Sequence, residues 1–140
     1  MSTPLYIDTS AVLRSVLESG TSPDVEERIA SAPLLVTSRL SHVEASRAII
    51  RLRTLGTVSE TQLADAVHDI NQLWWRCETW ELSKSVCRLA AEVAPSRLLR
   101  TLDALHLATF IRARELIAGL ELLTTDERLR DAAAGQGSAP

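Results

Sequence analysis

Short apolar runs, each followed by a stretch with helical spacing, constrain the fold of this chain more than any other feature. The first run, residues 5–7, ends at Asp8, and apolar residues then recur at helical intervals over residues 9–20. Strands that alternate with helices pair in parallel through right-handed crossovers, which place helices on both faces of one sheet. The alternation therefore predicts an α/β fold: a three-layer α/β/α sandwich around a central, mainly parallel sheet of four or five strands.

The same alternation continues to the end of the chain. Capping residues, prolines and glycines set the helix boundaries, and short apolar or alternating runs set the strands. Further strands are predicted at residues 34–36, 79–82 and 120–124, and the predicted helices are residues 9–20, 22–32, 38–55, 59–76, 83–93, 101–118 and a short one after residue 126.

The length of the chain fits a single domain. A chain of 140 residues with 46% apolar composition can bury roughly two-thirds of the surface that it exposes when unfolded. It contains no run of eighteen apolar residues, and its first residues enter a strand without a basic segment, so we expect a cytoplasmic protein without a membrane span. We predict one domain over residues 1–134 and a disordered tail over residues 135–140.

The charge and cysteine content exclude few functions. A net charge of −3 does not indicate nucleic-acid binding, and the near-absence of lysine is explained equally well by codon usage and by phosphate recognition. Cys77 and Cys87 lack the CxxC spacing of a metal site, so we predict buried thiols rather than zinc ligands.

Two aspartates directly follow predicted strands. Asp8 ends the first strand and Asp126 follows the last one, so both are expected at the carboxyl edge of the sheet, where ligands bind in open parallel sheets. An aspartate between a strand and a helix is about equally often just a helix cap. The two carboxylates therefore indicate a site only in combination with others.

Two further acids lie on helix faces that look apolar. Glu44 is in line with Leu40 and Ala48, and Asp103 is followed one and two turns later by Leu107 and Phe110. The alternatives are an ion pair of Glu44 with Arg47 or Arg51, and stabilisation of a helix start by Asp103.

Together, the four acids predict a cation site. Carboxylates within ~4 Å of each other repel by roughly 4 kcal/mol per pair at an effective dielectric near 20, which is large beside the stability of a small domain. Either some are protonated or a cation lies among them. Because His106 is the one nitrogen ligand that could share this edge, we predict a hard cation, magnesium or alternatively manganese, rather than zinc.

Four sequence blocks resemble the PIN-domain nucleases, and specifically the VapC toxins of bacterial toxin–antitoxin pairs. The blocks are YIDTSAVL, SHVEASRA, LRTLDALHLATF and LLTTDERL, and their order and spacing agree with that family over nearly the whole chain. The resemblance implies a metal-dependent endoribonuclease that cleaves RNA and arrests translation. It also implies a homodimer and a cognate VapB-like antitoxin whose tail enters the acidic pocket.

The resemblance also implies roles for individual residues. It assigns Asp8 and Asp103 as principal metal ligands, Glu44 as a ligand or orienter of the attacking water, and Asp126 as a ligand reached through water. Ser10 and Thr124 are expected to be polar neighbours of the site, and His106 is expected to be structural.

Three other phosphate-handling classes of α/β protein are excluded, because the chain lacks the residues that they require. These classes are the proteins with nucleotide-binding loops, the haloacid-dehalogenase-like phosphatases and the response-regulator receivers. A PIN scaffold that binds RNA or a protein without catalysis is the alternative function.

We expect ordinary solvated ion pairs, rather than RNA contacts, for Arg14, Arg39, Arg47, Arg51, Arg97 and Arg100. Trp74 and Trp75 point about a hundred degrees apart, so one of them could meet a partner, whereas burial at the sheet edge is expected for Trp80.

Overall fold

Strands and helices alternate along the chain in the predicted order. The computed structural model describes residues 3–136. In chain order the elements are β1 (Leu5–Ile7), α1 (Thr9–Leu17), α2 (Pro23–Ser31), β2 (Leu35–Ser38), α3 (Arg39–Leu55), α4 (Glu60–Arg76), β3 (Cys77–Trp80), α5 (Lys84–Ala90), α6 (Thr101–Leu116), β4 (Glu121–Leu123) and α7 (Glu127–Gly135).

The four strands form one parallel sheet in the order β3-β2-β1-β4. In the register of the sheet, Leu5 of β1 lies opposite Leu35 of β2 on one side and Glu121 of β4 on the other. All three residues of β1 are buried, as expected for a central strand covered on both faces. The parallel α/β sandwich predicted from the sequence is therefore confirmed.

Two hydrophobic cores, one on each face of the sheet, follow from the alternation of side chains along β1. Leu5 and Ile7 point into a core completed by helices α1 to α4, whereas Tyr6 points to the opposite face, into a core built mainly from α6 and α7. Asp8, the next residue after β1, is thus held between two packed layers at the carboxyl edge of the sheet.

The main difference from the predicted elements concerns the third strand. It was expected at residues 79–82 but spans Cys77–Trp80, because Cys77 and Glu78 pair with Leu35 and Val36 of β2 directly after α4 ends. Pairing with a neighbouring strand is a tertiary effect that the weak local alternation does not encode. The shift matters little for the acids, none of which follows β3.

Helix ends agree with the capping signals in two informative places. Gly56 adopts φ of 67° after α3, a conformation that favours glycine, and Ser59 forms the predicted capping box with Gln62 at the start of α4. At the other end of the chain, α7 includes Gly135, the first residue of the segment expected to be disordered; residues 137–140 lie outside the described residues.

The cysteines only partly match their expected burial. Cys77 is half-buried and burial raises the pKa of its thiol to about 12, so it is an inert thiol. Cys87 is exposed on α5, which contradicts the expected burial, because this short helix covers little of the sheet. Within residues 3–136, no helix has the length and apolar character needed to cross a bilayer.

Candidate active site at the carboxyl edge of the sheet

Asp8 is a buried carboxylate whose hydrogen-bond partners are all uncharged. Its Oδ1 accepts from the backbone N–H of Ala11, as the N-cap of α1, and from the Ser10 hydroxyl at 2.7 Å, while Oδ2 accepts from Thr124 at 2.7 Å. Its exposure is 4%. Burial raises the pKa of Asp8, although the hydrogen bonds from Thr124 and Ser10 oppose that rise. Oδ1 of Asp8 is thus a helix cap, as the alternative interpretation expected, whereas Oδ2 has no part in capping.

Thr124 joins Asp8 to the segment that follows β4. Its hydroxyl oxygen accepts from the backbone N–H of Asp126 at 3.0 Å and lies 3.1 Å from the Ser10 hydroxyl, which in turn accepts from the N–H of Thr125. Asp126 caps α7 through its Oδ1, as the alternative interpretation expected. The two strand-end aspartates are therefore tied to one hydroxyl although 118 positions separate them in the sequence.

Glu44 is held by a hydroxyl and an imidazole. Its Oε1 accepts from Thr9 at 2.7 Å and contacts Nε2 of His106 at 2.6 Å. Burial raises the pKa of this carboxyl, but the hydrogen bonds from His106 and Thr9 outweigh burial, so the pKa is lowered. Among the described residues its partners are thus not Arg47 or Arg51, and Glu44 faces inward toward the carboxyl edge.

Asp103 and Asp126 share one arginine. Nε of Arg100 donates to Oδ2 of Asp103 at 3.3 Å, and an Nη of the same guanidinium lies 3.6 Å from Oδ2 of Asp126. The Arg100 side chain is mostly exposed, while the two carboxylates are largely covered. The guanidinium of an exposed arginine therefore lies between two of the predicted metal ligands.

The four acids converge on one edge but not into a single tight cluster. Through residues 3–136, no group of three or more His, Cys, Asp and Glu side chains is close enough to hold a metal ion. The acids are linked in pairs by Thr124 and Arg100, and Glu44 is bonded to Thr9, the neighbour of Asp8. The donors are carboxylate oxygens, and among residues 3–136 no basic side chain bonds to the buried Asp8, so the donor set fits a hard divalent cation in chemistry.

The sequence did not single out two of the contact residues: Thr9 donates to Glu44, and Tyr6 contacts His106. Arg100 forms ion pairs, as expected, but its partners are two of the four acids. Thr9 and Tyr6 lie in the block YIDTSAVL, on either side of the Ile7–Asp8 pair, so their position was the available signal. His106, which was expected to be structural, bonds directly to Glu44.

The other singled-out side chains behave mostly as expected. Arg14 pairs with Glu18, and Arg39 pairs with Glu81 on the surface. The tryptophans of α4 diverge: Trp74 stacks on His42, whereas Trp75 is 87% exposed. The remaining one, Trp80, is half-buried on the edge strand β3 and packs against the core around Tyr6.

Comparison with known proteins finds relatives of this chain in sequence and in fold. The ribonuclease VapC45 of Mycobacterium tuberculosis is 30% identical over 139 residues, an alignment that covers 95% of this chain and 91% of that protein. The crystal structure of Mycobacterium tuberculosis VapC20, described as a sarcin–ricin loop cleaving toxin, has a TM-score of 0.65 at 16% identity and covers 91% of this chain and 94% of its own. That of VapBC2 from Rickettsia felis, bound to a promoter DNA fragment, has a TM-score of 0.58 at 12% identity and covers 88% and 99%.

The family model for the PIN domain matches residues 5–135, from the first residue of β1 to the last residue of α7. The match includes every element of the sheet and all four acids at its carboxyl edge. The sequence relatives, the fold and the extent of this match show that the chain belongs to the PIN domain family.

Proposed function

We propose that this protein is a magnesium-dependent endoribonuclease, the toxic component of a type II toxin–antitoxin system that cleaves RNA phosphodiester bonds and arrests translation. The observation that carries the proposal is the buried Asp8 carboxylate at the end of the central strand. Hydroxyls and a backbone N–H hold it, and no basic side chain in the described part of the chain pairs with it. A carboxylate kept in such surroundings is a ready ligand for a divalent cation. The name of VapC45 as a ribonuclease supports the same reaction.

The similarity to VapC proteins supports a role in metal binding for each of the four acids. Asp8 and Asp103 are the principal ligands, Glu44 binds the metal or orients the attacking water, and Asp126 reaches the metal through a water molecule. Magnesium, or manganese in its place, lowers the pKa of a bound water and offsets the charge that develops on the phosphate. The four acids thus act both as ligands and as catalytic residues.

The remaining side chains of the site orient these carboxylates. Ser10 and Thr124 donate to different oxygens of Asp8, which fixes the plane of its carboxylate. Thr9 and His106 hold Oε1 of Glu44. Arg100 leaves its position between Asp103 and Asp126 when a cation binds there, because both compete for the same oxygens.

We further propose a cytoplasmic homodimer with RNA as substrate and a VapB-like antitoxin as partner. The pairing of toxin and antitoxin in the related VapBC2 complex supports the partner. The exposed Trp75 on α4 gives such a partner an amphipathic anchor of the kind common in protein interfaces.

The experiment is RNA cleavage by the purified protein. Hairpin RNAs, including a sarcin–ricin loop hairpin, are incubated with the protein and magnesium, and the products are resolved on denaturing gels. Asp8→Asn and Asp103→Asn should each abolish cleavage, as should a chelator, and manganese should restore activity after chelation.

Asp131→Asn is the matched control, since it removes one carboxylate from an exposed position on α7. This variant should cleave like the wild type. Cleavage that persists in Asp8→Asn or in chelator would contradict the metal mechanism. Absence of cleavage on every RNA, together with RNA or antitoxin binding, would instead favour the non-catalytic scaffold.

A further inference from the structure

The side chains of Glu44, His106 and Tyr6 form a hydrogen-bonded relay that extends from the site into the core. The Tyr6 hydroxyl lies 2.8 Å from Nδ1 of His106, and Nε2 of the same ring lies 2.6 Å from Oε1 of Glu44. Tyr6 is completely buried and His106 is 2% exposed. No water is needed to connect the core to the carboxylate, because each contact is direct.

For a neutral imidazole, the chemistry of the three groups fixes the direction of both hydrogen bonds. The carboxylate of Glu44 can only accept, so Nε2 of His106 must donate. In that tautomer Nδ1 carries no proton and accepts a hydrogen bond from the Tyr6 hydroxyl. Glu44 thus selects the tautomer of His106, and Tyr6 is the donor that holds the other side of the ring.

The bonds to Glu44 converge on one of its two oxygens. Both Thr9 and His106 bond to Oε1, and within residues 3–136 no hydrogen bond is made to Oε2. A carboxylate held firmly through one oxygen presents the other in a fixed direction. Oε2 is therefore the oxygen that remains for a metal ion or a water molecule.

We propose that Tyr6 is a positioning residue, whose hydroxyl fixes the orientation of the His106 ring that donates to Oε1 of Glu44 and thereby aims Oε2 into the site. This inference rests on the proposed function insofar as Glu44 acts in metal binding or water orientation. Hydrogen bonds behind a ligand commonly set its orientation and basicity in this manner. The role is separable from packing, because the Tyr6 ring contacts His106 and Phe110 edge-on without using its hydroxyl.

The first test reads the tautomer directly. Long-range ¹H–¹⁵N spectra of the metal-free protein, recorded at a pH where the ring is neutral, should show His106 with a protonated Nε2 and an unprotonated Nδ1. Tyr6→Phe should shift the Nδ1 resonance, because that nitrogen loses its donor. A neutral ring with its proton on Nδ1, or an Nδ1 resonance that is unchanged in Tyr6→Phe, would overturn the proposal whether or not the protein cleaves RNA.

The second test measures how the relay of Tyr6, His106 and Glu44 affects Mn²⁺ binding and catalysis. Tyr6→Phe should weaken Mn²⁺ binding in calorimetry, or lower kcat on RNA, by on the order of ten- to a hundredfold, with KM for RNA unchanged within about twofold. Thr37→Val is the matched control, because it removes a buried hydroxyl from the adjacent strand β2 that donates to the Ile7 carbonyl outside the relay. It should leave kcat and Mn²⁺ affinity as in the wild type.

The two tests separate this inference from the proposed function. A wild type that cleaves no RNA contradicts the ribonuclease proposal, while the imidazole spectrum and the Mn²⁺ affinities still decide the relay. The expected tautomer combined with unchanged Mn²⁺ affinity and unchanged kcat in Tyr6→Phe would refute the positioning role. Equal losses in Tyr6→Phe and Thr37→Val would also refute it, since both would then report a weakened core.

Discussion

The Thr124 hydroxyl donates a 2.7 Å hydrogen bond to Oδ2 of Asp8 and so connects the ends of two neighbouring parallel strands. The same oxygen accepts from the backbone N–H of Asp126, the residue that caps α7. One threonine therefore provides hydrogen-bond partners for a buried carboxylate and for a backbone N–H at the start of a helix. Because Oδ1 of Asp8 is already used as the cap of α1, Thr124 is the partner that sets the second oxygen.

Thr124→Val keeps the shape of the side chain and removes the hydrogen bonds of its hydroxyl with Asp8, Ser10 and the N–H of Asp126. We expect the free energy of unfolding at pH 7 to fall by about 1–3 kcal/mol, because Oδ2 of the buried Asp8 and a backbone N–H lose their partners. Urea denaturation measures the change. Thr125→Val is the control: its side chain makes no hydrogen bond within residues 3–136, and it should change stability by less than about 0.5 kcal/mol. Equal effects of the two substitutions would contradict the assigned role of Thr124.

Asp8 should make the metal-free protein less stable as the pH rises. Burial raises the pKa of Asp8 above its ordinary value, so the folded state holds this proton more tightly than the unfolded state. The stability that this carboxyl contributes is full below its unfolded pKa and is lost as the pH rises through its folded pKa. In chelator, Asp8→Asn should therefore gain stability relative to the wild type between about pH 4 and pH 7.

Glu44 should show the opposite trend and serves as the internal comparison. Burial raises the pKa of Glu44, but the bonds from His106 and Thr9 outweigh it, so the net pKa is lowered. Its contribution is present above the unfolded pKa and is lost as the pH falls through the folded pKa. Glu44→Gln should thus be less stable than the wild type at pH 7 and approach it in acid. Parallel pH profiles for the two variants would disprove this assignment.

The sequence predicted the layers of the fold well because they depend on local patterns. The buried run before Asp8, the capping box at Ser59 and the glycine after α3 are each readable within a few residues. The predicted bounds of β3 were wrong by two residues, because only the pairing of this strand with β2 defines where it begins and ends.

The candidate site was predictable in part for the same reason. Strand ends placed Asp8 and Asp126 at one edge, and helical spacing turned Glu44 inward. The partners of these acids depend on side-chain directions in three dimensions, which spacing does not supply. The contact of His106 with Glu44 crosses 62 positions, and Arg100 reaches Asp126 from a separate segment, so neither could be read locally.

Arg100 should compete with metal binding. Its guanidinium lies between the carboxylates of Asp103 and Asp126, where it adds positive charge to a cation site. We expect Arg100→Gln to bind Mn²⁺ several-fold more tightly in calorimetry, as removal of roughly 1 kcal/mol of repulsion implies for a solvent-exposed pair.

Arg97→Gln provides the charge-matched comparison, because Arg97 is also exposed before α6 but makes no hydrogen bond to either carboxylate. It should leave the Mn²⁺ affinity close to that of the wild type. If both variants gained affinity equally, net charge rather than the position of Arg100 would explain the effect.

The adjacent tryptophans of α4 should differ sharply in their effect on stability. Trp74 stacks on His42 with ring centroids 4.3 Å apart and packs against the core of helices α1 to α4, so Trp74→Ala should cost roughly 2–4 kcal/mol. Trp75 is 87% exposed, and Trp75→Ala should change the free energy of unfolding by less than about 0.5 kcal/mol. Urea denaturation at two protein concentrations tests both values. A large, concentration-dependent loss in Trp75→Ala would contradict its exposure in the free protein, since burial between two copies would then be required.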